Sequence, residues 1–495
     1  MIIQLATITN REAIKYLRCI TTFISNSLLL AKLNKTYFIV AIFNTLSLLF
    51  SAFSSADSQC IYNKKILTPE ARALTAHFSG IGFDCKAQQE IYSALNLPLI
   101  NIDNFEYEGG FRISAAKYSN NPSDSESNYD SADFSYGIFT YNQHNNSIYL
   151  IGNPRHGSIA EFKVPEIIKS TDVADFKVAK QATQNFLRFY TQGEKKSKEL
   201  TGILNYFRVT GLAKIGNSLI VNYINWYDAN ASETDTSIVI KQANRLASSE
   251  IIGPYQIQGS AHASGWMTPI PDMWKSILGG SYIVGNQPYA SILSRLSIGP
   301  SAFSFYPRSD MIYAASGKVP TKALLDFPLK HLLYDKSVYS ANARTEDILA
   351  NTNKKNKLWT TSSGAAVGFI LPGTRTYVTI GKSAGHYSGI GYKITDSKGK
   401  LCGGPCPYDA DDYYAYYWLW DVSDLVKVKY GLMKSYEVRP YDYGIFNIPI
   451  PLQKNSVSSG SYDPVNKRLY LSVRGGDTIG RYARPPLIIT YKSKY

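Results

Sequence analysis

The chain has 495 residues, a net charge of +14, 13% aromatic residues and only 18% charged residues. This balance excludes a coiled coil and a disordered chain, which are richer in charged and polar residues. The basic side chains are scattered, without the patch or tail of a nucleic-acid binder, so we predict no nucleic-acid partner. A diffuse basic surface instead suits attraction to an anionic polysaccharide, lipopolysaccharide or another envelope component.

The N-terminus has the order of a secretory signal. Basic residues in 32–35 precede the apolar run 37–53, and small residues follow up to Ala56. We therefore predict that residues 1–56 are a signal-peptide region with a long N-terminal extension, cleaved after Ala56. The alternative is an uncleaved membrane anchor, although the run is short for a span and contains Asn44. The predicted location is secreted, periplasmic or cell-surface.

Four cysteines remain after that segment: Cys60, Cys85, Cys402 and Cys406. An even number in an exported chain favours disulfides, and we predict the pairs Cys60–Cys85 and Cys402–Cys406. Zinc is the competing interpretation. It fits poorly, because only one pair is close in sequence and no histidine is near, so we predict no metal at these cysteines.

Beyond the signal the chain divides into a partly helical segment, residues 57–100, and a strand-rich domain, residues 101–495. Helix-forming residues with spaced apolar positions predict a helix over 86–96. Apolar residues at helical spacing predict another over 173–190, inside the strand-rich domain. The stretch 119–133 is rich in Ser, Asn and Asp and is expected to be an exposed loop.

Five stretches of the strand-rich domain share one pattern, in which two apolar residues eight positions apart flank a polar turn. Each predicts a β-hairpin, and the pairs are Tyr141/Tyr149, Leu212/Ile220, Phe305/Tyr313, Phe369/Tyr377 and Tyr462/Tyr470. A recurring hairpin predicts an all-β fold, a β-propeller of about five blades (range five to seven) with helical insertions. The alternative is a large β-sandwich assembly.

Small residues near the predicted hairpin starts suit strands that crowd around a propeller axis. They are Gly137, Gly211, Ala302, Ala365, Ala366, Gly460 and Ser461. Three further segments place a glycine and an aromatic residue ahead of a short strand, and we expect each to lead from one blade into the innermost strand of the next. These segments are 110–114, 265–271 and 444–449.

Several longer motifs resemble those of an uncharacterised family of secreted bacterial proteins. The motifs are Ser-Gly-Trp-Met-Thr-Pro-Ile-Pro-Asp-Met-Trp at 264–274, Leu-Gly-Gly at 278–280, Ser-Ile-Gly-Pro-Ser-Ala-Phe at 297–303, Tyr-Tyr-Trp-Leu-Trp-Asp at 416–421 and Val-Arg-Pro-Tyr at 438–441. The resemblance covers most of the chain after about residue 100. It implies a propeller-like β fold and export, and it implies no activity or catalytic residues.

Chemical motifs are sparse. Residues 381–385 match G-x-S-x-G, the nucleophile elbow, but the glycine-rich stretch after Ser383 lacks the helix that an elbow requires. A glycine-rich hairpin loop is the better interpretation, and catalytic residues stay unassigned. None of the six histidines forms a metal-binding pair in sequence, which disfavours a zinc hydrolase. His156 and His386 lie in glycine-flanked loops after a hairpin, where a ligand site could form.

Two further segments have competing interpretations. Acidic clusters around Asp228 and Asp235, and around Asp409 and Asp411, are either solvated loops or calcium sites, and calcium is the one cofactor that the sequence suggests. The aromatic run 413–420 alternates, with Tyr414, Tyr416, Trp418 and Trp420 on one face and Tyr413, Tyr417 and Leu419 on the other. It predicts either packing between blades or an edge that stacks against sugar rings.

Two functions remain open from the sequence. The first is an exported, non-catalytic propeller that binds a glycan or an envelope partner. The second is an extracellular hydrolase or lyase on an anionic polysaccharide, with a Tyr or His as base and cationic residues binding its acidic groups. The candidate ligand-binding residues are Arg112, His156, Trp266, Arg295, Arg375 and His386. Membrane contact is expected only through an uncleaved signal segment.

Overall fold

In a computed structural model the described residues are 85–119, 130–154, 157–188, 207–288, 290–340, 342–452 and 456–495. The signal region and the predicted Cys60–Cys85 disulfide lie outside them, as does His156. The chain divides into two compact units, Met1–Tyr92 and Ser93–Tyr495, and the second holds every strand of the described residues.

The strands run in chain order from β1 to β24. The first twelve are β1 (Phe105–Ile113), β2 (Phe139–Asn142), β3 (Ser147–Ile151), β4 (Ser158–Lys163), β5 (Val178–Ala179), β6 (Ala182–Arg188), β7 (Phe207–Ile215), β8 (Ser218–Asn225), β9 (Ser237–Ile240), β10 (Ile251–Ile257), β11 (Met267–Pro269) and β12 (Tyr282–Val284). The others are β13 (Ala302–Phe305), β14 (Gly317–Val319), β15 (Lys322–Leu325), β16 (Gly364–Ile370), β17 (Thr376–Ala384), β18 (Ile390–Tyr392), β19 (Pro405–Pro407), β20 (Tyr413–Asp421), β21 (Asp442–Ile445), β22 (Val457–Asp463), β23 (Arg468–Val473) and β24 (Leu487–Ser493).

The α-helices of the described residues are short. They are α1 (Cys85–Leu95), α2 (Asp272–Leu278), α3 (Thr345–Ala350) and α4 (Val422–Lys429). Helix α1 confirms the helix predicted over 86–96. None of these helices has the length and hydrophobicity that crossing a bilayer requires.

The strands form a five-bladed β-propeller, as the sequence predicts. Blade 1 has the strand order β2-β3-β4-β6, blade 2 β7-β8-β9-β10-β14, blade 3 β11-β12-β13-β15, blade 4 β16-β17-β20-β21 and blade 5 β22-β23-β24-β1-β5. The innermost strands β2, β7, β11, β16 and β22 contact one another in a closed ring. Blade 5 combines three C-terminal strands with β1, which pairs antiparallel with β24 and so joins the two ends of the domain.

The middle strands of a blade are apolar on both faces because a neighbouring blade packs against each face. In β3, Ile148 and Leu150 belong to the core shared with blade 5, whereas Tyr149 and Ile151 belong to the core shared with blade 2. Alternate side chains of a strand point to opposite faces, so a strand buried on both sides reads as a continuous apolar run. The same geometry explains the apolar run of β8.

Four of the five predicted hairpins are confirmed, as β2–β3, β7–β8, β16–β17 and β22–β23. The hairpin predicted at Phe305/Tyr313 is wrong. Strand β13 ends at Phe305, the π-helical turn Arg308–Ile312 follows, and Tyr313 is 77% exposed. Pro307 begins this turn and has no N–H to continue a strand ladder.

Blade 3 instead begins with β11 and β12, which α2 separates. The segment 265–271, expected as a lead-in strand, therefore contains the innermost strand of blade 3. Ala302 lies in the third strand, so its predicted axial position is wrong as well. The segments 110–114 and 444–449 do overlap outer strands that precede the next blade in the chain, in agreement with the expectation. They are β1, the fourth of the five strands of blade 5, and β21, the outermost strand of blade 4.

A further helix expectation is wrong. The helix predicted over 173–190 is a 3-10 turn (Val173–Asp175) followed by β5 and β6, in which Phe186 packs into the core between blades 5 and 1. Pairing of β6 with β4 overrides the local helical spacing. Of the loop expected to be exposed over 119–133, residues 120–129 lie outside the described part of the chain. At its end the expectation is corrected, because Asp130, Ser131 and Ala132 are buried and Asp130 lies 3.7 Å from the Arg188 guanidinium.

Candidate ligand cavity at the propeller axis

The innermost strands are joined to one another through hydroxyl side chains. Ser459 Oγ and Ser461 Oγ on β22 accept the backbone N–H groups of Phe139 and Tyr141 on β2, at 3.3 and 3.2 Å. An innermost strand has an open inner edge, and these hydroxyls satisfy backbone groups there that a sheet cannot pair. Each serine accepts a hydrogen bond, so its own hydrogen is still available for donation.

Other side chains link blade 3 to the innermost strands of blades 4 and 5. Thr268 Oγ1 on β11 donates to Gly368 O on β16 at 2.7 Å. Gln287 Nε2 donates to Ala366 O and Ser458 O, at 2.7 and 3.2 Å, and so links blade 3 to blades 4 and 5. Gln287 is buried, and its Oε1 has no hydrogen-bond partner among the described residues. These contacts hold the axis polar and closely packed.

A cavity of about 350 Å³ opens where the innermost strands end and their hairpin turns begin. Four blades supply its walls, through the ends of β2, β7, β11 and β22. The lining residues are Phe139, Thr140, Tyr141, Asn142, Gln143, His144, Thr210, Gly211, Leu212, Ala213, Lys214, Gly216, Trp266, Met267, Thr268, Pro269, Tyr282, Ser459, Gly460, Ser461, Tyr462, Asp463 and Pro464. Hydroxyl, amide and aromatic side chains therefore face one space on the axis.

The charged groups of the wall are few. Lys214 Nζ donates to Gly216 O at 2.8 Å, and burial lowers the pKa of Lys214, whereas the Glu161 carboxylate raises it. Asp463 accepts from Val465 N and Asn466 Nδ2, so its carboxylate serves the β22–β23 turn. Lys214 and the exposed His144 are left as the polar groups best placed for a ligand.

A buried carboxylate stands behind this wall. Glu161 accepts from Ser147 Oγ at 2.5 Å, Gln184 Nε2 at 2.6 Å, Asn142 Nδ2 at 3.0 Å and Asn145 Nδ2 at 3.3 Å. Burial alone would raise the pKa of Glu161, but these four donors outweigh it, and the pKa is lowered. Glu161 thus stays ionised and fixes β2, whose side chains line the cavity.

The tyrosines of the wall act as donors and as flat surfaces. The Tyr141 ring stacks on Tyr470 with centroids 4.6 Å apart, and its hydroxyl donates to Asn146 Oδ1. Burial raises the pKa of both Tyr141 and Tyr282. These phenols therefore remain protonated, which suits hydrogen bonding to sugar hydroxyls and does not suit proton abstraction.

Of the predicted ligand-binding residues, Trp266 lines this cavity, and its indole is almost fully buried. Arg112 lines a separate cavity at the edge of blade 5, and its Nε and Nη2 both donate to the Asp477 carboxylate. Arg295 lies 2.9 Å from Asp228. The structure thus distributes these side chains over different sites.

Arg375 has a structural environment. Its Nη1 donates to Leu95 O at 2.8 Å, and its Nε lies 3.4 Å from Asp421. The first contact ties the start of β17 to the segment before β1, and the second ties it to the end of β20. Binding of a ligand by Arg112, Arg295 or Arg375 stays a prediction.

His386 is held by Ser383, the central residue of the G-x-S-x-G match. Ser383 Oγ lies 2.7 Å from His386 Nε2, and His386 Nδ1 lies 3.0 Å from Asn356 O. A carbonyl only accepts, so Nδ1 carries the proton and Nε2 accepts from Ser383. Both side chains are only 1% exposed, and burial lowers the pKa of His386 to about 4. The pair has base-like geometry, but a substrate cannot reach it.

The remaining predicted features lie away from the axial cavity. The Cys402–Cys406 disulfide is confirmed, and it joins Cys406 of β19 to the preceding loop in the separate small sheet β18–β19, which lies between β17 and β20 in the chain. A disulfide there favours a non-reducing environment. Strand β20 is buried on both faces, with Trp418, Trp420 and Leu419 inaccessible to solvent. The aromatic run therefore packs between blades from Ala415 to Trp420, whereas Tyr413 and Tyr414 are half-buried.

The acidic clusters have partners within the protein. Asp228 accepts from Ser232 N and Glu233 N besides its contact with Arg295, and Asp411 lies 2.5 Å from Lys398 Nζ. In the described part of the chain, no three His, Cys, Asp or Glu side chains are close enough to share a metal ion. Calcium binding at these clusters stays a prediction.

Sequence reasoning missed most of the cavity wall, including Thr140, His144 and Lys214, and it identified Ser461 only as a small residue near the axis. Their positions carry a signal, because each lies at the turn end of a predicted hairpin. The turn ends of the innermost strands meet at one end of a propeller axis. A sequence-based search restricted to those turns would have found these residues.

Comparison with protein-family models finds no match, and comparison with curated proteins finds none either. Among solved structures, one titled "Structure of U3-55K" is similar with 10% sequence identity and a TM-score of 0.23. The similarity covers 71% of this chain and 79% of that chain. The five-bladed architecture of this chain is established by its own strand pairing.

Proposed function

We propose that this protein is an exported, non-catalytic propeller that binds a glycan or another envelope component through the axial cavity. The observation that carries the proposal is the wall of hydroxyl, amide and aromatic side chains that four blades direct into one space. Sugars offer hydroxyl groups for hydrogen bonds and flat C–H faces for aromatic rings, and such walls suit both. The lone Lys214 would favour a saccharide with an acidic or strongly polar substituent.

The Cys402–Cys406 disulfide and the signal-like order of residues 1–56 support export. Glycan binding also fits the raised pKa values of Tyr141 and Tyr282, because a protonated phenol donates a hydrogen bond. The predicted partner is therefore a polysaccharide or an envelope glycolipid in an oxidising compartment.

The proposal is tested by incubating the protein with a panel of polysaccharides and measuring both retention and release of reducing ends. We expect retention without new reducing ends, and at least about a fivefold weaker affinity for Lys214→Gln and His144→Ala, because each removes a polar contact. Lys318→Gln, on the outermost strand β14 of the same blade as Lys214, is the matched control and should bind like the unmodified protein. If Lys214→Gln and His144→Ala bind the retained polysaccharide as tightly as Lys318→Gln does, the axial cavity is rejected as the site.

The second candidate is a hydrolase or lyase acting on an anionic polysaccharide. One observation favours it, the Ser383–His386 hydrogen bond with a proton-accepting Nε2. The burial of both side chains opposes it, because a base must reach the proton that it removes. Release of reducing ends that is lost in Ser383→Ala would establish this alternative and exclude the non-catalytic proposal.

A further inference from the structure

A loop of blade 5 concentrates positive charge. Residues 474–486 connect β23 to β24 and are named here the arginine loop. They contain Arg474, Arg481 and Arg484 and one acid, Asp477, whose carboxylate is bound by Arg112. Within the described ranges, none of the three loop guanidiniums forms an ion pair. The loop therefore carries three positive charges that no side chain in the described structure neutralises.

The loop is folded, so these charges have defined positions. Asp477 N donates to Pro485 O and Ile479 N donates to Ala483 O, which makes a narrow hairpin with Arg481 and Tyr482 at its tip. The two-point contact between Arg112 and Asp477, at 2.8 and 3.2 Å, ties the base of the hairpin to β1. A pre-formed loop loses little conformational entropy when it binds a ligand.

Two of the arginines lie over aromatic rings. The Arg474 guanidinium is 3.8 Å from the Tyr136 ring centroid, and the Arg481 guanidinium is 5.1 Å from that of Tyr482. A guanidinium stacked by its face still presents its N–H edge, which matches the two oxygens of a carboxylate or sulfate. Tyr482 is 67% exposed and offers a ring face beside that edge. Cation and aromatic surface thus occur together.

A second cavity, of about 330 Å³, lies at the base of the same loop. Arg112, Gly475, Gly476, Asp477 and Thr478 line one side, and Val173, Ala174, Pro451 and Leu452 line the other. Arg112 uses Nε and Nη2 for Asp477, and its Nη1 has no hydrogen bond among the described residues. Thr478 adds an exposed hydroxyl. The cavity can therefore take one polar ring unit of a longer chain whose acidic groups contact the arginines.

The acids near this surface leave it basic. Asp133 Oδ1 accepts from Arg484 N at 2.7 Å, and Asp172 and Asp175 flank the Val173–Ala174 edge of the cavity. Their carboxylates accept hydrogen bonds from Ala174 N and Ser170 Oγ, and residues 169–180 carry three lysines against these two aspartates. The excess charge comes from the arginine loop itself.

We propose that the arginine loop and its cavity bind an acidic polysaccharide through its carboxylate or sulfate groups. The argument rests on charge complementarity, on guanidinium edges held by rings and on a cavity of sugar size next to them. The Cys402–Cys406 disulfide favours a non-reducing compartment, and acidic polysaccharides are among the polyanions found outside the cytoplasm. This surface goes beyond the axial cavity and does not depend on it.

The test compares binding of the full protein to polygalacturonate, chondroitin sulfate and neutral dextran over a range of salt concentrations. We expect binding to one or both acidic polymers, no binding to dextran, and at least about a tenfold loss with a shallower salt dependence for the double variant Arg474→Gln/Arg481→Gln. The control Arg245→Gln/Arg344→Gln removes the same charge from exposed sites elsewhere and should change affinity less than about twofold. Thermal unfolding of both double variants checks that they fold.

Three results would overturn the proposal. The first is that neither acidic polymer binds. The second is that the two double variants lose affinity equally, which would show a general charge effect. The third is that anionic lipid vesicles or single-stranded DNA bind more tightly than both polymers. Lys214→Gln separates the two proposals, because it should weaken binding of the polysaccharide that the axial cavity retains and should leave the binding that Arg474→Gln/Arg481→Gln removes. Loss of both kinds of binding in that one variant would contradict the independence of the two surfaces.

Discussion

A single buried histidine shows how one residue organises a whole insertion. His386 follows β17 at the start of the segment that carries the small sheet β18–β19, and it is fixed between Ser383 and the Asn356 carbonyl. Asp412 closes the other end of that segment by accepting from Tyr387 N and Ser388 N. A polar network of this kind is stable only while every member keeps its partner.

We predict that the protein loses stability as the pH falls from about 6.5 to about 4. Burial lowers the pKa of His386 from 6.5 to about 4, so in this window the unfolded chain takes up a proton that the folded protein excludes. The contribution of His386 is full above pH 6.5, and about 3 kcal/mol is lost by pH 4. Urea unfolding across this range measures the effect.

The control for this prediction is His386→Gln, which removes the titrating group. Its stability should be lower near neutral pH and should vary less between pH 6.5 and pH 4. The exposed His144→Gln should behave like the unmodified protein. An unchanged pH profile in His386→Gln would show that another group is responsible.

The innermost strands illustrate how an element is limited by its neighbours. A Cβ on Gly211 would lie 1.9 Å from the Gly265 carbonyl oxygen, and one on Gly460 would lie 2.8 Å from Val367. Both glycines belong to innermost strands, where the backbone of a neighbouring segment leaves no room for a side chain at Gly211 and packed side chains leave little room at Gly460. At these two positions, the small residues correctly predicted strands that crowd around the propeller axis.

We expect Gly211→Ala to destabilise the protein by about 2 kcal/mol or more, because neither backbone can move away within a closed ring. Gly403→Ala is the matched substitution, since nothing lies within 4 Å of its Cβ position and its φ is not in the left-handed region. Denaturant midpoints of the two variants give the comparison. Equal midpoints would mean that β7 and β11 can separate without cost.

Elements were predictable where the connection was short. Hairpins such as β2–β3 have a polar turn at a constant offset, so local sequence is sufficient to find them. In blade 3 the helix α2 separates the first two strands, and the constant offset is lost. Strand β6 had helical spacing, and only its pairing with β4 decides its conformation. Local sequence carries no information about a partner strand that lies elsewhere in the chain.

At the scale of the molecule, stability depends on joining the first strand to the last. Strand β1 pairs with β24 from Phe105 opposite Ser493 to Arg112 opposite Leu487, and Arg468 on β23 holds Glu108 at both carboxylate oxygens. This closure covers an edge of β24 that would otherwise expose unpaired backbone groups. The blade thus assembles only when both ends of the domain are present.

Deletion of residues 1–114 should therefore abolish cooperative unfolding or cause aggregation, because β24 loses its partner. Deletion of residues 1–56, the predicted signal region, is the control and should leave the unfolding midpoint unchanged. A synthetic peptide of residues 101–116 added to the longer deletion should restore amide protection in β24, measured by hydrogen exchange. Full protection of β24 without the peptide would contradict the closure argument.

The amino-acid sequence by itself determined the repeated two-stranded unit, the crowding at the axis and the close cysteine pair, because each depends on residues near one another in the chain. The tertiary structure alone decided which side chains share a space. Thr140, Lys214 and Ser461 come from three blades, and they meet because the turn ends of the innermost strands converge at one end of the ring. Arg112 and the arginine loop likewise meet only because β1 completes the blade of the C-terminal strands. Ring closure brings together residues that no local pattern connects, and both proposed binding surfaces follow from it.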